Sequence, residues 1–321
     1  MMLGVFQTTA LAAGYTDTTG HWAAEHIDKW SQGAKPVLYG YNPTTFGPDD
    51  PIKDIDLDLI IARVLGVSGP TWKDSPVLSR EQAITKIARA FSIEPRNNIA
   101  PAESFLDHTD ISADAAPYIY AMKSKGLISG MGGNTFSPQS DYTRAQALTV
   151  ISNMIGDLAD ASGDLTASAY AKTVVVRHPD VEIENKAFDG DLIIGQGVGD
   201  GDITLDSVTV NGSLVVYGGG SNTIHIIGNS DINNVIGAKT TGQAAHLNIA
   251  YTANVGNVSV EDNSNIVVTG VVSNITIASN ATLELNDNAD IDNVNMEGSN
   301  SDVIVNSGAQ AALVSVEGNG N

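Results

Sequence analysis

The stretch Phe136-Ser-Pro138-Gln-Ser-Asp-Tyr142-Thr143-Arg144-Ala145-Gln146 decides the reading of the first half of the chain. An aromatic and a proline pin a loop, which then turns into a helix. Thr143 and Gln146 form a capping box: the hydroxyl accepts from the Gln146 amide, and the glutamine side chain reaches back to Thr143. The box sets Arg144 at the first helical position, beside backbone N–H groups that a helix leaves free and at the positive end of its dipole. A cation there loses roughly 0.3–1 kcal/mol of helix stability, so its presence asks for a reason. The box recurs as Ser79-Arg80-Glu81-Gln82, again with arginine first. Arginine beside free helix amides makes an anion site, and two of them in one domain point to an acidic ligand. The plainer alternative is a guanidinium left in solvent or paired with a nearby carboxylate, which reveals little.

Outward from this stretch, the text from Tyr15 to about Leu158 is helical in pattern and repeats. One unit opens Tyr15-Thr-Asp17, runs through His21-Trp22-Ala23, passes Gly40 and reaches Phe46-Gly-Pro48 before an apolar helix that ends near Arg63. A later unit opens Phe105-Leu-Asp107 and runs through Gly126-Leu-Ile-Ser-Gly130 to Phe136-Ser-Pro138 and the Thr143 helix. Gly40 stands six positions before Phe46, as Gly130 does before Phe136. Between them lies a shortened copy, Trp72-Lys-Asp74 followed almost at once by Ser79-Arg80, without a first helix or a glycine loop. Its helix puts Ile84, Ile87 and Phe91 on one face, as Leu148, Ile151 and Ile155 are in the last copy; these are core positions. Self-similarity at this scale implies stacked units sharing one core.

The ordered set of aromatic-x-Asp, His-Trp-Ala, Gly-x-x-x-Gly, Phe-x-Pro and Thr-Arg-Ala resembles the S-layer homology repeat. The resemblance covers about residues 14–158. It implies a pseudo-threefold helical domain that anchors proteins non-covalently to a cell-wall-linked polysaccharide, often one with acidic substituents such as pyruvyl ketals. It implies glycan contacts for Arg144 with its motif neighbour Thr143, for Arg80, for Trp22 at the His-Trp-Ala position and for Gly130 of the glycine loop. For Trp22, burial of the indole in the core is the alternative. One departure stands out. Aligned through Arg63 and Arg89, the first unit has Lys53-Asp54-Ile55-Asp56 where Thr-Arg-Ala-Glu belongs, which turns the key arginine into Asp54. Lysine lacks the planar fork that grips a carboxylate, so at most two working glycan sites are expected.

The chain has 321 residues, a net charge of -21 and no cysteine. Its length suggests two domains, and its acidity argues against nucleic acid as a partner. Most lysines and arginines lie before Gly163 and none follows Lys239, so an anion-binding role belongs to the first half. The missing cysteines remove disulfides, thiolate metal sites and cysteine nucleophiles. Residues 1–13, without a basic leader, read as the end of a signal segment with an Ala-x-Ala site, which implies export, an ordinary apolar N-terminus being the alternative; no other run approaches the ~20 apolar residues of a membrane span.

Residues 159–172 are small and polar and read as a linker. Beyond them, over 173–321, short alternating strands come about every ten positions. They include Val174–Val176, Val181–Ile183, Leu192–Ile194, Val208–Val210, Leu214–Val216, Ile224–Ile226, Leu247–Ile249, Val258–Val260, Ile275–Ile277, Leu283–Leu285 and Val303–Val305, with Asn, Asp and Gly between them. A sandwich or a parallel β-solenoid accepts this pattern. Asparagine-rich corners, few aromatics and very short strands favour the solenoid, and the texture resembles β-helical regions attached to S-layer homology repeats. The fold class expected is therefore α plus all-β in two domains.

A β-helix invites comparison with polysaccharide lyases and glycosidases, which need converging carboxylates or acids with a basic partner. Asp200, Asp202 and Asp206 cluster, as do Asp287, Asp290 and Asp292, but both groups read more simply as solvated turn residues. Glu261-Asp262 and Asp287-Asn-Ala-Asp290 match no recognised calcium loop. His21 and His26 fall on different helix faces, and His225 and His246 on separate strands, without metal-ligand spacing. The expectation is a secreted, non-enzymatic surface protein without cofactor, metal or catalytic residues. Its partner is secondary cell-wall polysaccharide or another peptidoglycan-linked glycan, and it self-assembles into an array or serves as an adhesive spacer. Two alternatives remain, a wall-anchored carbohydrate-active enzyme and a peptidoglycan-bound tether of an outer membrane.

Overall fold

The computed structural model describes residues 14–71, 73–98, 104–221 and 223–318. The expected signal segment and Trp72 of the shortened copy lie outside the described residues. The chain divides into two compact units, one of Met1–Ile60, Pro70–Ala88 and Pro95–Ser152, the other of Ile61–Gly69, Arg89–Glu94 and Asn153–Asn321.

In unit 1, α1 (Ala24–Ile27) runs into a single π turn, Asp28–Gln32, and α4 (Ala116–Ser124) occupies the matching place in the third repeat. Three further helices, α2 (Asp54–Val64), α3 (Arg80–Ala90) and α5 (Arg144–Met154), have 11 residues each and start in unit 1 at equivalent repeat positions, their last residues being counted with unit 2. Both capping boxes form: Gln146 N–H donates to Thr143 Oγ1 at 3.2 Å and Thr143 N–H to Gln146 Oε1 at 3.1 Å. The Ser79 and Gln82 pair does the same at 3.4 and 2.9 Å. In α2 the box is missing, and Ser75 Oγ accepts instead from Ile55 N–H at 2.9 Å.

The three helix starts are tied by a closed ring of backbone hydrogen bonds. Ile52 N–H donates to Tyr142 O at 2.7 Å, Tyr142 N–H to Leu78 O at 3.0 Å and Leu78 N–H to Ile52 O at 3.1 Å. This ring is the pseudo-threefold axis that the repeats imply. Ile52, Phe46, Phe136 and Tyr142 are buried around it, each side chain contributing about 1.5–3 kcal/mol by leaving water. Ile84, Ile87, Leu148 and Ile151 are buried as expected from their spacing.

Unit 2 is a parallel β-solenoid. One sheet runs in the order β1 (Ile155–Ala159), β3 (Thr173–Val176), β6 (Leu192–Ile194), β8 (Thr209–Val216), β10 (Asp231–Gly237), β12 (Asn254–Val260), β14 (Val271–Ile277), β16 (Asp290–Met296) and β18 (Gln310–Val316); β2 (Ala169–Tyr170) pairs with β5 (Ala187–Phe188), and β5 with β8. The other sheet runs β4 (Val181–Glu184), β7 (Ile203–Asp206), β9 (Ile224–Ile227), β11 (Ala245–Ile249), β13 (Asn265–Thr269), β15 (Thr282–Leu285) and β17 (Asp302–Val305). Each coil adds one strand to each sheet, so aliphatic residues stack in register: Val210, Ile232 and Val255 form one such column, and Val272 stacks on Ile291 in the same way. All five are buried. At the corners Asn185, Asn263, Asn280, Asn288 and Asn300 take positive φ, a conformation in which asparagine is tolerated because its short amide bonds locally.

Several expectations shift. The run 159–172 is folded rather than a linker: Ala159 ends β1, Tyr170 lies in β2, and Leu165 joins the solenoid core. The strands expected at Val208–Val210 and Leu214–Val216 are one strand, β8, whose two ends pair with β5 and β6 separately. Asp290 and Asp292 lie on β16, exposed on the strand, rather than in a turn. Within unit 2, Arg177 grips Asp160 through two N–H bonds of 2.6 and 2.5 Å and donates to Arg63 O at 3.0 Å.

Candidate functional site

The two arginines singled out by the sequence are both built into unit 1, and each reaches the glycine loop of another repeat. Arg144 donates through Nε to Phe46 O at 3.1 Å and through Nη2 to Tyr39 O at 2.7 Å. Its guanidinium sits 4.5 Å from the Tyr41 ring centre and 4.7 Å from that of Phe46. Arg80 makes the equivalent approach to the third-repeat loop, donating through Nη2 to Ser129 O at 2.7 Å and lying 5.0 Å from the Phe136 ring centre. Both arginines are buried, at 2% and 6% exposure.

The expected free helix amides are not free. Arg144 and Ala145 donate to Asp50 O and Pro48 O, both at 3.0 Å, and Arg80 and Glu81 to Ser140 O and Pro138 O at 2.8 and 3.0 Å. Holding the repeats together consumes these donors. Any anion affinity at the corners therefore rests on the guanidinium and the loop, not on the helix terminus.

The loops are shaped by a carboxylate in each opening motif. Asp17 accepts from Phe46 N–H and Gly47 N–H, and Asp107 from Phe136 N–H and Ser137 N–H. Burial works to raise both pKa values, but these amides prevail and hold the carboxyls below the usual aspartate value. Gly130 allows the third loop to close: a Cβ there would stand 2.6 Å from Thr135 O. Gly40 meets Tyr15 and Thr45 O equally closely.

Around the Arg144 corner Tyr39 and Tyr41 are exposed. Trp22 is 61% exposed, so its indole is on the surface and not in the core. It packs against His21, whose Nε2 lies 3.2 Å from Asp49 Oδ1, beside the Asp50 that holds the start of α5. Thr143 spends its side chain on the capping box. The aromatic rim of Tyr39 and Tyr41 escaped sequence reasoning; its signal was the Tyr-Gly-Tyr run around Gly40.

The third sector has no arginine. Asp54, at the start of α2, receives Lys86 Nζ at 2.5 Å, and the same ammonium reaches Asp58 at 2.6 Å. Lys53 pairs with Asp74.

In unit 2 a cleft of about 430 Å³ is lined by Ser162, Leu165, Val181, Glu182, Glu184 and Lys186. No group of three or more metal-ligating side chains occurs among the described residues, and no helix among them is long and apolar enough to cross a membrane.

The family model of the S-layer homology domain matches residues 14–53 and 105–148. No curated protein and no solved structure gives a significant match. The matched segments contain both aromatic-x-Asp openings, both glycine loops and the Thr143 capping box. The chain carries S-layer homology domains, which bind cell-wall polysaccharide and associate a surface protein with the cell wall, followed by a parallel β-solenoid.

Proposed function

We propose that the chain is exported and held non-covalently on cell-wall polysaccharide by the Arg80 and Arg144 corners, with the solenoid serving as a non-catalytic structural or adhesive element of a surface layer. The observation that carries this reading is the repetition of one construction: a buried guanidinium laid across an aromatic ring and bonded to the carbonyl beside a glycine loop, at Tyr39 and at Ser129. Exposed Trp22, Tyr39 and Tyr41 supply apolar faces on which sugar rings stack. Sedimentation of the full chain with purified wall polysaccharide tests it. Wild type co-sediments, Arg80→Ala and Arg144→Ala each weaken the association, and the double variant stays in solution; indifference of the wild type to the polysaccharide removes the reading.

The solenoid cleft favours a second reading, a wall-anchored carbohydrate-active enzyme, because Glu182 and Glu184 share its wall with Lys186. Release of reducing ends or unsaturated sugars from the polysaccharide, abolished in Glu182→Gln, would establish that activity. The proposal expects none.

A further inference from the structure

The solenoid is covered at its first coil and open at the last described one. At the first, Leu158 and Ala159 of β1 and Val181 and Ile183 of β4 are buried, Leu165 joins the core, and Glu182 N–H donates to Ser162 Oγ at 2.8 Å. At the last, β17 and β18 end their sheets, and neither has a second partner strand among the described residues. Val305, Val314 and Val316 hold inward positions whose register partners Leu285, Val294 and Met296 are buried. They are nevertheless 49%, 45% and 55% exposed. Glu317 N–H donates to Met296 O at 2.9 Å, so by strand alternation the N–H and C=O of Val316 and Val314 face the open side.

The outward positions change at the same coil. Asn234, Asn257, Asn274 and Asn293 form an amide ladder on the outer face, and the next register position is Leu313. On the other sheet Glu284 is followed by Ile304. Leu313 and Ile304 are both exposed. Earlier strands of the β18 sheet carry Asp231, Asp290 and Asp292 outward, but Gln310–Val316 holds no charge, in a chain of net charge -21. An unpaired strand edge with apolar side chains is a template for pairing with another chain. A further parallel coil would find no amide at Leu313 to carry the ladder on. Two copies of so acidic a chain repel each other in general, and at β18 they meet without opposing acids.

We infer that two copies of the chain join end to end through this last coil, β18 pairing antiparallel with β18 of the second copy across a two-fold axis at Leu313. The contact is isologous because the covered first coil offers no matching edge, so the partner must present the same open end. Leu313 then lies opposite Leu313 of the second copy in a pair whose own backbone groups bond elsewhere, where side chains come closest. In that register Val314 faces Ala312 and Glu317 faces Ala309, so no acid opposes an acid. The contact lies in unit 2 and makes no use of the arginine corners, so it stands or falls separately from wall anchoring.

Sedimentation velocity of the full chain over a concentration series tests this. The limit at high concentration should be a species of twice the 33.4 kDa chain mass and nothing larger. Leu313→Asp sets two carboxylates face to face at the two-fold axis and, being outward, leaves the packing of the coil intact; it should weaken the dimer at least about tenfold. The chain has no cysteine, so a single introduced one reports the register. Leu313→Cys should form a covalent dimer under oxidised glutathione, whereas Asn211→Cys, exposed on β8, should not. Circular dichroism checks that each variant is folded. A chain that is monomeric at every concentration, a series that grows beyond the dimer, a dimer untouched by folded Leu313→Asp, or equal cross-linking at both cysteines overturns the inference. Wall anchoring is decided independently by the co-sedimentation experiment.

Discussion

Asp107→Ala probes the device that shapes the third-repeat loop. The carboxylate accepts from Phe136 N–H and Ser137 N–H, both at 2.7 Å. Hydrogen bonds to a charged group contribute about 1.5–3 kcal/mol each. Water regains part of the bond at half-buried Ser137, so unit 1 should lose about 2–4 kcal/mol. The pH dependence gives an independent signature. Burial raises the carboxyl pKa, but the two amides outweigh it and the folded value lies below the ordinary one. A lowered folded pKa means that the stabilisation is present above the unfolded value of about 4 and is lost as pH falls through the folded value. The penalty of the substitution should be complete at neutral pH and shrink steadily below about pH 4. Urea unfolding followed by tryptophan fluorescence isolates the effect, because Trp22, Trp30 and Trp72 all precede Lys73 and none lies in the solenoid. A loss under about 0.5 kcal/mol at pH 7, or one that does not change with acidification, refutes the assignment.

Ser137 takes φ 58° where the first repeat has Gly47 at 71°, so Ser137→Gly should relieve strain and leave stability unchanged or raise it by up to about 1 kcal/mol in the same assay. Burial first, then Glu94 and Asp262, raise the Glu261 pKa; its folded value lies above the unfolded one, so its carboxylate destabilises unit 2 at neutral pH and the effect vanishes as pH falls below the unfolded value. Glu261→Gln should accordingly raise the thermal midpoint of the circular dichroism transition at pH 7 and leave it unchanged near pH 4. Val294 and Val314 are register partners in β16 and β18, at 1% and 45% exposure. Val294→Ala should cost about 1.5–3 kcal/mol and Val314→Ala about half as much, read from urea midpoints by circular dichroism.

The legible parts of the sequence were those whose partners are local or repeat. Thr143 and Gln146 are three residues apart, and both capping boxes formed as written. The aliphatic alternation of Leu283–Leu285 and Leu247–Ile249 likewise exposed its strands, because the inward positions carry no other signal. β16 was hidden: Asp290, Asp292, Asn293 and Asn295 occupy its outward positions, and the two acids read as turn residues. Their use is visible only across coils, where Asn257 donates to Asn234, Asn274 to Asn257 and Asn293 to Asn274 at 3.1–3.2 Å. The destinations of the arginines were equally out of reach, since Ser129 lies 49 residues from Arg80 and Tyr39 lies 105 from Arg144. Local reasoning supplied free helix amides for a ligand; the neighbouring repeat had already claimed them.

The sector with Asp54 at the first helical position shows that the frame of unit 1 does not depend on an arginine there. Asp54 would place an unpaired acid at a corner that holds a cation in the other sectors, but Lys86 reaches both Asp54 and Asp58. Burial tends to lower the lysine pKa, and the two carboxylates prevail and raise it, so the corner is closed by an internal ion pair. The helix start survives this exchange because Asp54 N–H still donates to Pro76 O at 2.9 Å, as Arg80 and Arg144 do to Ser140 O and Asp50 O. The ring through Ile52, Leu78 and Tyr142 also uses backbone atoms alone. A side chain at the first helical position can therefore change from guanidinium to carboxylate while the threefold frame remains. By the same reasoning Arg80 and Arg144, both buried and one of them without a countercharge, are retained at a cost in desolvation that the frame does not require.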